Sequence, residues 1–221
     1  MENETNGPAR NDHSAPKDYK ILPEETQEIS KVSDIDFSRT YSYADYFRWQ
    51  FEDRLELIRG KVFRMSPVPS STHQRLCGLI YVKLYEYLSD KTCEAFISPF
   101  DVRLPVNSAQ DEAIFTVVQP DICVVCDPGK IDERGCLGAP DVVVEILSPG
   151  NNSKELIIKH KIYEEAGVKE YWIVNPEKKI IIVYAINGKG KYQEVNVAGT
   201  VNNNLSLVFP DFQLCRKDLC W

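Results

Sequence analysis

Apolar and polar positions along the chain follow two rhythms. Apolar residues recurring every three to four positions predict helices, and short apolar or alternating runs predict strands. Residues 1–35 follow neither: they are polar and broken by Pro8, Pro16 and Pro23, the pattern of a disordered or loosely attached arm, which leaves 36–221 as one domain. Residues 41–47 predict a short helix with Ser42 as its N-cap. Residues 54–65 hold two strand-like runs around Arg59-Gly60, a hairpin signal. After the hydroxyl-rich stretch 66–72, the helix predicted from His73 to about Leu88 carries Leu76, Ile80, Leu84 and Leu88 at steps of four. Extended segments follow at 93–102, 116–126 and 141–147, with turn-rich loops at 107–112 and 127–138 between them. A helix over 153–166 comes next, then strands at 170–174 and 180–184 and a turn at Asn187-Gly188. Residues 205–221 are expected to cover one edge.

Leaving out the first short helix and the hairpin, the order is αβββαβ with a further strand. This predicts an α/β (α+β) fold, a mixed sheet with helices on its faces. The helix over 153–166 is long enough to cross over between parallel strands.

One acid breaks the apolar pattern. Glu145 stands inside the β-branched run Val142-Val143-Val144-Glu145-Ile146, and an ionised group in a buried strand is costly unless paired or bound to a metal. Alternation puts Asp121, Cys123 and Val125 on one face of their strand, and Asp141, Val143, Glu145 and Leu147 on one face of theirs. If the strands are neighbours, Asp121 and Glu145 project side by side, and a divalent cation would relieve their repulsion. On the following helix, at about 100° per residue, Lys159 falls in the middle of the apolar arc and Lys161 on the opposite side. Ile157 lies outside the arc, and Asn152 with Glu155 fits a capping box. Two carboxylates, an inward lysine and room for a metal suit phosphodiester hydrolysis. His73 lies on the apolar stripe of its helix, as a cap, a packed residue or a ligand. Glu56, read by periodicity alone, is an acid on a solvent-facing strand position.

A net charge of -7 argues against holding nucleic acid by bulk positive potential, though not against a local basic groove or a bound cation. No apolar run reaches the ~20 residues of a membrane span, and the acidic start is unlike a signal peptide. Seven scattered cysteines suit a reduced cytoplasm better than a disulfide framework. Cys123 and Cys126 point to opposite strand faces, which argues against zinc.

Pro120-Asp121 followed by Val144-Glu145-Ile146-Leu147 resembles the PD-(D/E)xK nuclease signature. The chain is more closely similar to the Uma-type restriction endonuclease family of that superfamily, over roughly residues 40–215. The matching pieces are Leu55-Glu56-Leu57-Ile58-x-Gly60, Met65-Ser66-Pro67 through His73-Gln74, Pro120-Asp121, Pro140 through Pro149, Lys159-x-x-x-Tyr163, and Ala166-Gly167-Val168 through Pro176. The resemblance implies a restriction-endonuclease-like fold, Mg²⁺ with Mn²⁺ as the alternative, and DNA as partner and substrate. It makes Asp121 and Glu145 the metal carboxylates. Lys159 becomes the catalytic lysine, because the usual strand position holds Leu147. It also raises Glu56 to an additional acid and supports His73 at the site, its role unassigned. The family's acids around the hairpin glycine are replaced here by Arg59 and Lys61. The expected protein is a Mg-dependent endodeoxyribonuclease of the cytoplasm, a homodimer if two strands are to be cut. The alternatives are a nuclease fold used only for binding or assembly, and a hydrolase of another phosphorylated substrate.

Overall fold

A computed structural model describes residues 29–49, 52–65, 69–148, 153–198, 205–214 and 219. The expected arm up to residue 28, the hydroxyl caps at 66–68, Asn152, Cys215 and Cys220 lie outside the described residues. Of the remaining arm, Val32 and Ile35 are buried against the core.

The elements in chain order are α1 (Tyr43–Tyr46), β1 (Leu55–Ile58), β2 (Lys61–Arg64), α2 (Ser71–Leu88), β3 (Glu94–Ile97) and β4 (Val102–Arg103). They continue with β5 (Val117–Val118), β6 (Ile122–Val125), β7 (Ile131–Asp132), β8 (Gly135–Leu137) and β9 (Val142–Ile146). The chain then forms α3 (Ser153–Ala166), β10 (Glu170–Asn175), β11 (Ile180–Ile186) and β12 (Tyr192–Ala198). Ser42 caps α1 in a reciprocal box with Asp45, and Ser70 caps α2. Arg59 and Gly60 both take positive φ, 52° and 76°, as the two-residue β1–β2 turn demands. A Cβ on Gly60 would meet Thr40 Cγ2 at 2.3 Å, so only glycine fits there.

The described strands form two six-stranded sheets rather than the single sheet expected. One runs β2-β1-β5-β4-β8-β7, the other β12-β11-β10-β9-β6-β3. Two of the extended segments expected to be single strands are each divided between the sheets: β3 from β4, and β5 from β6. The breaks fall at Ser98-Pro99 and Gln119-Pro120, where proline has no N–H to continue a ladder. The loop over 127–138 also holds β7 and β8, and β8 pairs in parallel with β4. The second sheet contains the expected αβββαβ core: α2, β3, β6, β9, α3 and β10, with β9 and β10 parallel across the α3 crossover.

Alternation sorts the side chains into layers. Ile122, Val124, Val142, Val144, Trp172 and Val174 pack beneath α2. Cys123, Val125, Val143, Tyr171 and Ile173 pack on the opposite face with Ile162 and Tyr163 of α3 and with Ile58, Val102 and Val118 of the first sheet. The C-terminal segment does not merely cover an edge: Leu205, Phe209 and Phe212 join the core beneath α2.

A covalent and a polar feature tie the layers down. A disulfide joins Cys93 and Cys126, one step beyond the Glu94↔Val125 pair of β3 and β6, with Cα atoms 3.8 Å apart. One pair is thus bonded where the scatter of cysteines favoured reduced thiols, while Cys77, Cys123 and Cys136 are free. Residues 33 apart in sequence meet only because these two strands pair. The second feature is Glu170, fully buried at the start of β10. Its Oε1 accepts from the N–H groups of Leu207 (2.5 Å) and Val208 (2.9 Å), its Oε2 from Trp172 Nε1 (2.9 Å) and Ser206 Oγ (2.7 Å). All four acceptor positions are filled, so the carboxylate anchors the C-terminal segment. Glu170→Gln turns an N–H₂ toward two of those donors and should cost roughly 2–4 kcal/mol, read as a lower urea midpoint.

Candidate functional site

All five expected site residues come together where the middle layer reaches the C-terminal end of β9. Continuing the β6–β9 register one step beyond Ile122↔Val144 sets the backbone of Asp121 opposite Glu145. Glu56 belongs to the other sheet, and its neighbour Ile58 on the same strand face packs in the shared layer. α3 completes the layer and brings in Lys159. Glu56, Glu145 and Lys159 are all buried, at 2, 9 and 3% exposure, against their charge.

The hydrogen bonds explain how this burial is tolerated. Lys159 Nζ donates to Glu145 Oε1 at 2.9 Å and to Glu56 Oε1 at 3.0 Å, bridging the two sheets. Tyr163, one turn along α3, donates its hydroxyl to the same Glu145 oxygen at 2.9 Å. Glu56 Oε1 also accepts from the Gln119 N–H at 2.9 Å. Asp121 Oδ2 accepts from the Ile146 N–H at 2.7 Å and lies 3.1 Å from His73 Nε2, which arrives from the first turn of α2. Each carboxylate is thus held through one oxygen. The other three, Asp121 Oδ1, Glu145 Oε2 and Glu56 Oε2, take no hydrogen bond among the described residues.

The electrostatics are unbalanced in the same direction. Burial pushes the Glu145 carboxyl up to about 7; Lys159 pulls it down, but Asp121 and Glu56 push it further up. Burial would lower the Lys159 ammonium, yet Glu145 and Glu56 hold it well above its ordinary value. Burial likewise opposes protonation of His73, and the bond to Asp121 outweighs it and raises the group. Three carboxylates face one lysine and one titratable histidine. Among the described residues no group of three or more His, Cys, Asp and Glu could hold a metal by itself. The fit to a hard cation is therefore of the open kind, in which Mg²⁺ takes one or two carboxylates and fills its other positions with water and phosphate oxygens. Asp121 and Glu145, paired across the sheet with one oxygen each to spare, match that requirement.

For Glu56 the reading by periodicity alone is corrected: far from facing solvent, it is buried on a strand covered on both sides, beside the site where the resemblance put it. Lys161 is exposed and paired with Glu165, and Ile157 is exposed, as the angular reading of α3 requires. Gln119 and the Tyr163 hydroxyl are site residues that periodicity missed. Tyr163 could have been found from its i, i+4 spacing to Lys159; Gln119 acts through a backbone N–H, which carries no sequence signal. The two departures near the hairpin turn serve structural ends. Arg59 Nη2 pairs with Glu165 Oε2 at 2.6 Å, and Lys61 Nζ donates to the carbonyls of Ser38 and Arg39.

Comparison with known proteins supports the same fold. The family model described as "Uma2: Putative restriction endonuclease" matches residues 43–216. An uncharacterized protein of Synechocystis sp. is 23% identical over 155 residues, 69% of this chain and 77% of its own length. A crystal structure of a "putative nuclease belonging to DUF820" from Anabaena variabilis superposes with a TM-score of 0.63 at 21% identity, covering 81% of this chain and 97% of that one.

Removing the bridging ammonium should be costly. Lys159→Met leaves two buried carboxylates without a cation, a loss of about 3–5 kcal/mol that lowers Tm by roughly 6–20 °C. Lys161→Met, at the exposed face of the same helix, should stay within about 0.5 kcal/mol of the parent. Thermal unfolding of the two variants side by side checks both.

Proposed function

Because the chain belongs to the Uma2 family, we propose that it is a divalent-metal-dependent DNA endonuclease. What supports the reading is that the β6–β9 register, continued by one step, sets Asp121 opposite Glu145, each with one oxygen that takes no hydrogen bond among the described residues, beside an ammonium that bridges two sheets.

In this reading Asp121 and Glu145 hold Mg²⁺ or Mn²⁺. When bound, the ion polarises the phosphoryl oxygen and makes water a stronger nucleophile at neutral pH. The protein's own groups do the positioning. Ile146 N–H and His73 fix Asp121 Oδ2, so the carboxylate presents Oδ1. Lys159 and Tyr163 fix Glu145 Oε1, so it presents Oε2. Lys159 has three N–H donors and uses two of them on Glu145 and Glu56. The third makes no hydrogen bond among the described residues, with Glu155 Oε1 3.9 Å from the nitrogen, and would orient the attacking water or stabilise charge growing on a non-bridging phosphoryl oxygen. Glu56 contributes indirectly, sharing the ammonium and keeping it between the sheets.

A nuclease fold that binds without cutting is the competing reading. It is favoured by the lack, among the described residues, of a third ligand for the cation. Plasmid nicking separates the two. Supercoiled DNA with Mg²⁺ or Mn²⁺ should be nicked by the parent protein, and Asp121→Asn, Glu145→Gln and Lys159→Met should each slow nicking at least about a hundredfold. Nicking that survives unchanged in Asp121→Asn and Glu145→Gln would sink the proposal. Binding of plasmid with no metal-dependent cleavage would favour the competitor.

A further inference from the structure

We propose that Arg54 binds DNA, its guanidinium taking a backbone phosphate beside the one that is cut; the inference rests on the nuclease reading above. Arg54 lies immediately before β1, two residues from Glu56. Its Nε and Nη2 donate to Gln119 Oε1 at 3.1 and 2.9 Å, and Nη2 also donates to Ser98 Oγ. All of these acceptors are neutral. Arg59, Arg103 and Arg134 each meet a carboxylate oxygen at 2.6 Å, whereas Arg54 pairs with no carboxylate among the described residues. Its charge is therefore left uncancelled in a chain of net charge -7.

The guanidinium is also held in place and incompletely used. Gln119, which clamps it, is itself fixed: its Nε2 donates to Asp101 Oδ1 at 2.8 Å and to Tyr46 OH at 3.2 Å. The backbone N–H of Gln119 is the one that holds Glu56, and Asp121 follows two residues later. The Arg54 head group is thus tied through one residue to both halves of the site. Its Nη1 has no hydrogen-bond partner among the described residues and is not shut away from solvent, unlike Nη1 and Nε of the sealed Arg103. Two N–H groups of a planar cation, fixed in advance and open on one side, suit a phosphate oxygen. Fixing the side chain beforehand also spares the ordering cost of binding. For an acidic protein, such a local cation is how DNA contact is made where bulk charge repels it.

The test is binding of a labelled DNA duplex of about 20 base pairs to the full chain, without divalent cation, by fluorescence anisotropy over a range of salt. Arg54→Gln should weaken binding about tenfold and reduce the slope of log affinity against log salt by about one. Arg54→Lys keeps the charge and loses the fork, so it should keep the slope and lose part of the affinity. Lys189→Gln, in the β11–β12 turn at the far end of the sheet from Glu145, should change neither. Unchanged affinity and slope in Arg54→Gln would overturn the inference, as would an equal loss in Lys189→Gln. If Arg54→Gln does not fold, Arg54→Lys decides: lost affinity at a retained slope supports the contact, and unchanged affinity overturns it. A parent protein that nicks DNA while Arg54→Gln binds normally defeats this inference alone. A parent that binds no DNA defeats the nuclease reading with it.

Discussion

Lys159 brings an ammonium into a layer between two sheets, where neither a lone cation nor a lone carboxylate could remain ionised. Glu145 comes from one sheet, Glu56 from the other, and the lysine from the helix wedged between them. None of the three can leave without stranding another. The arrangement therefore fixes the spacing of the sheets, the rotation of α3 and the aim of Glu145 together. Everything proposed for the site depends on that fixed spacing, because Asp121 gains its place opposite Glu145 only while β6 and β9 stay in register.

The bridging lysine was legible in the sequence for a simple reason. A charge in the apolar arc of an amphipathic helix must meet an opposite charge, and the nearest acid in an apolar strand was Glu145. The β9–α3–β10 unit, the α2 stripe and the hairpin at Arg59-Gly60 were legible for the same kind of reason, since each is set by local period or turn chemistry. What periodicity could not give depends on contacts between distant segments. Glu56 reads as a surface acid on a strand of four residues, and only the second sheet and α3 bury it. The split into two sheets follows from Pro99 and Pro120, which end strands that apolar content alone would have continued. The Cys93–Cys126 pair, and the bonds from Glu170 to Ser206, Leu207 and Val208, likewise arise from partners 33 or more positions away.

Arg59 and Lys61, at the hairpin turn, do not add cations to the site. One is spent on Glu165 of α3 and the other on two carbonyls of the segment before α1. Both clamp the hairpin to its surroundings. The hairpin carries Glu56, so these surface contacts bear on the site indirectly, through the position of β1. The buried acid Asp141 is similarly absorbed: it accepts from the Cys126 N–H at 2.7 Å and pairs with Lys169 at 2.6 Å. Of the acids that share a face in β9, only Glu145 keeps an oxygen to offer.

Placing the lysine on a helix rather than on the strand changes what the site demands of the fold. On β9, two residues after Glu145, a lysine would be aimed by the sheet ladder itself; that position holds Leu147, which packs with the middle layer. On α3 the lysine is aimed only if the helix cannot roll. Several contacts oppose rolling: Glu165 to Arg59, Glu164 to Lys191 at 2.7 Å, and His160 seated among the rings of Tyr171, Tyr184 and Tyr192. A roll of one residue, about 100°, would carry Lys159 out of the layer and strand both glutamates. The helix is thus locked from both flanks, and its locks lie in sequence positions that bear no mark of chemistry. Tyr163 extends the same logic inward. Set one turn beyond Lys159, it reaches the same Glu145 oxygen and, with the lysine, leaves the other oxygen as the one the site presents.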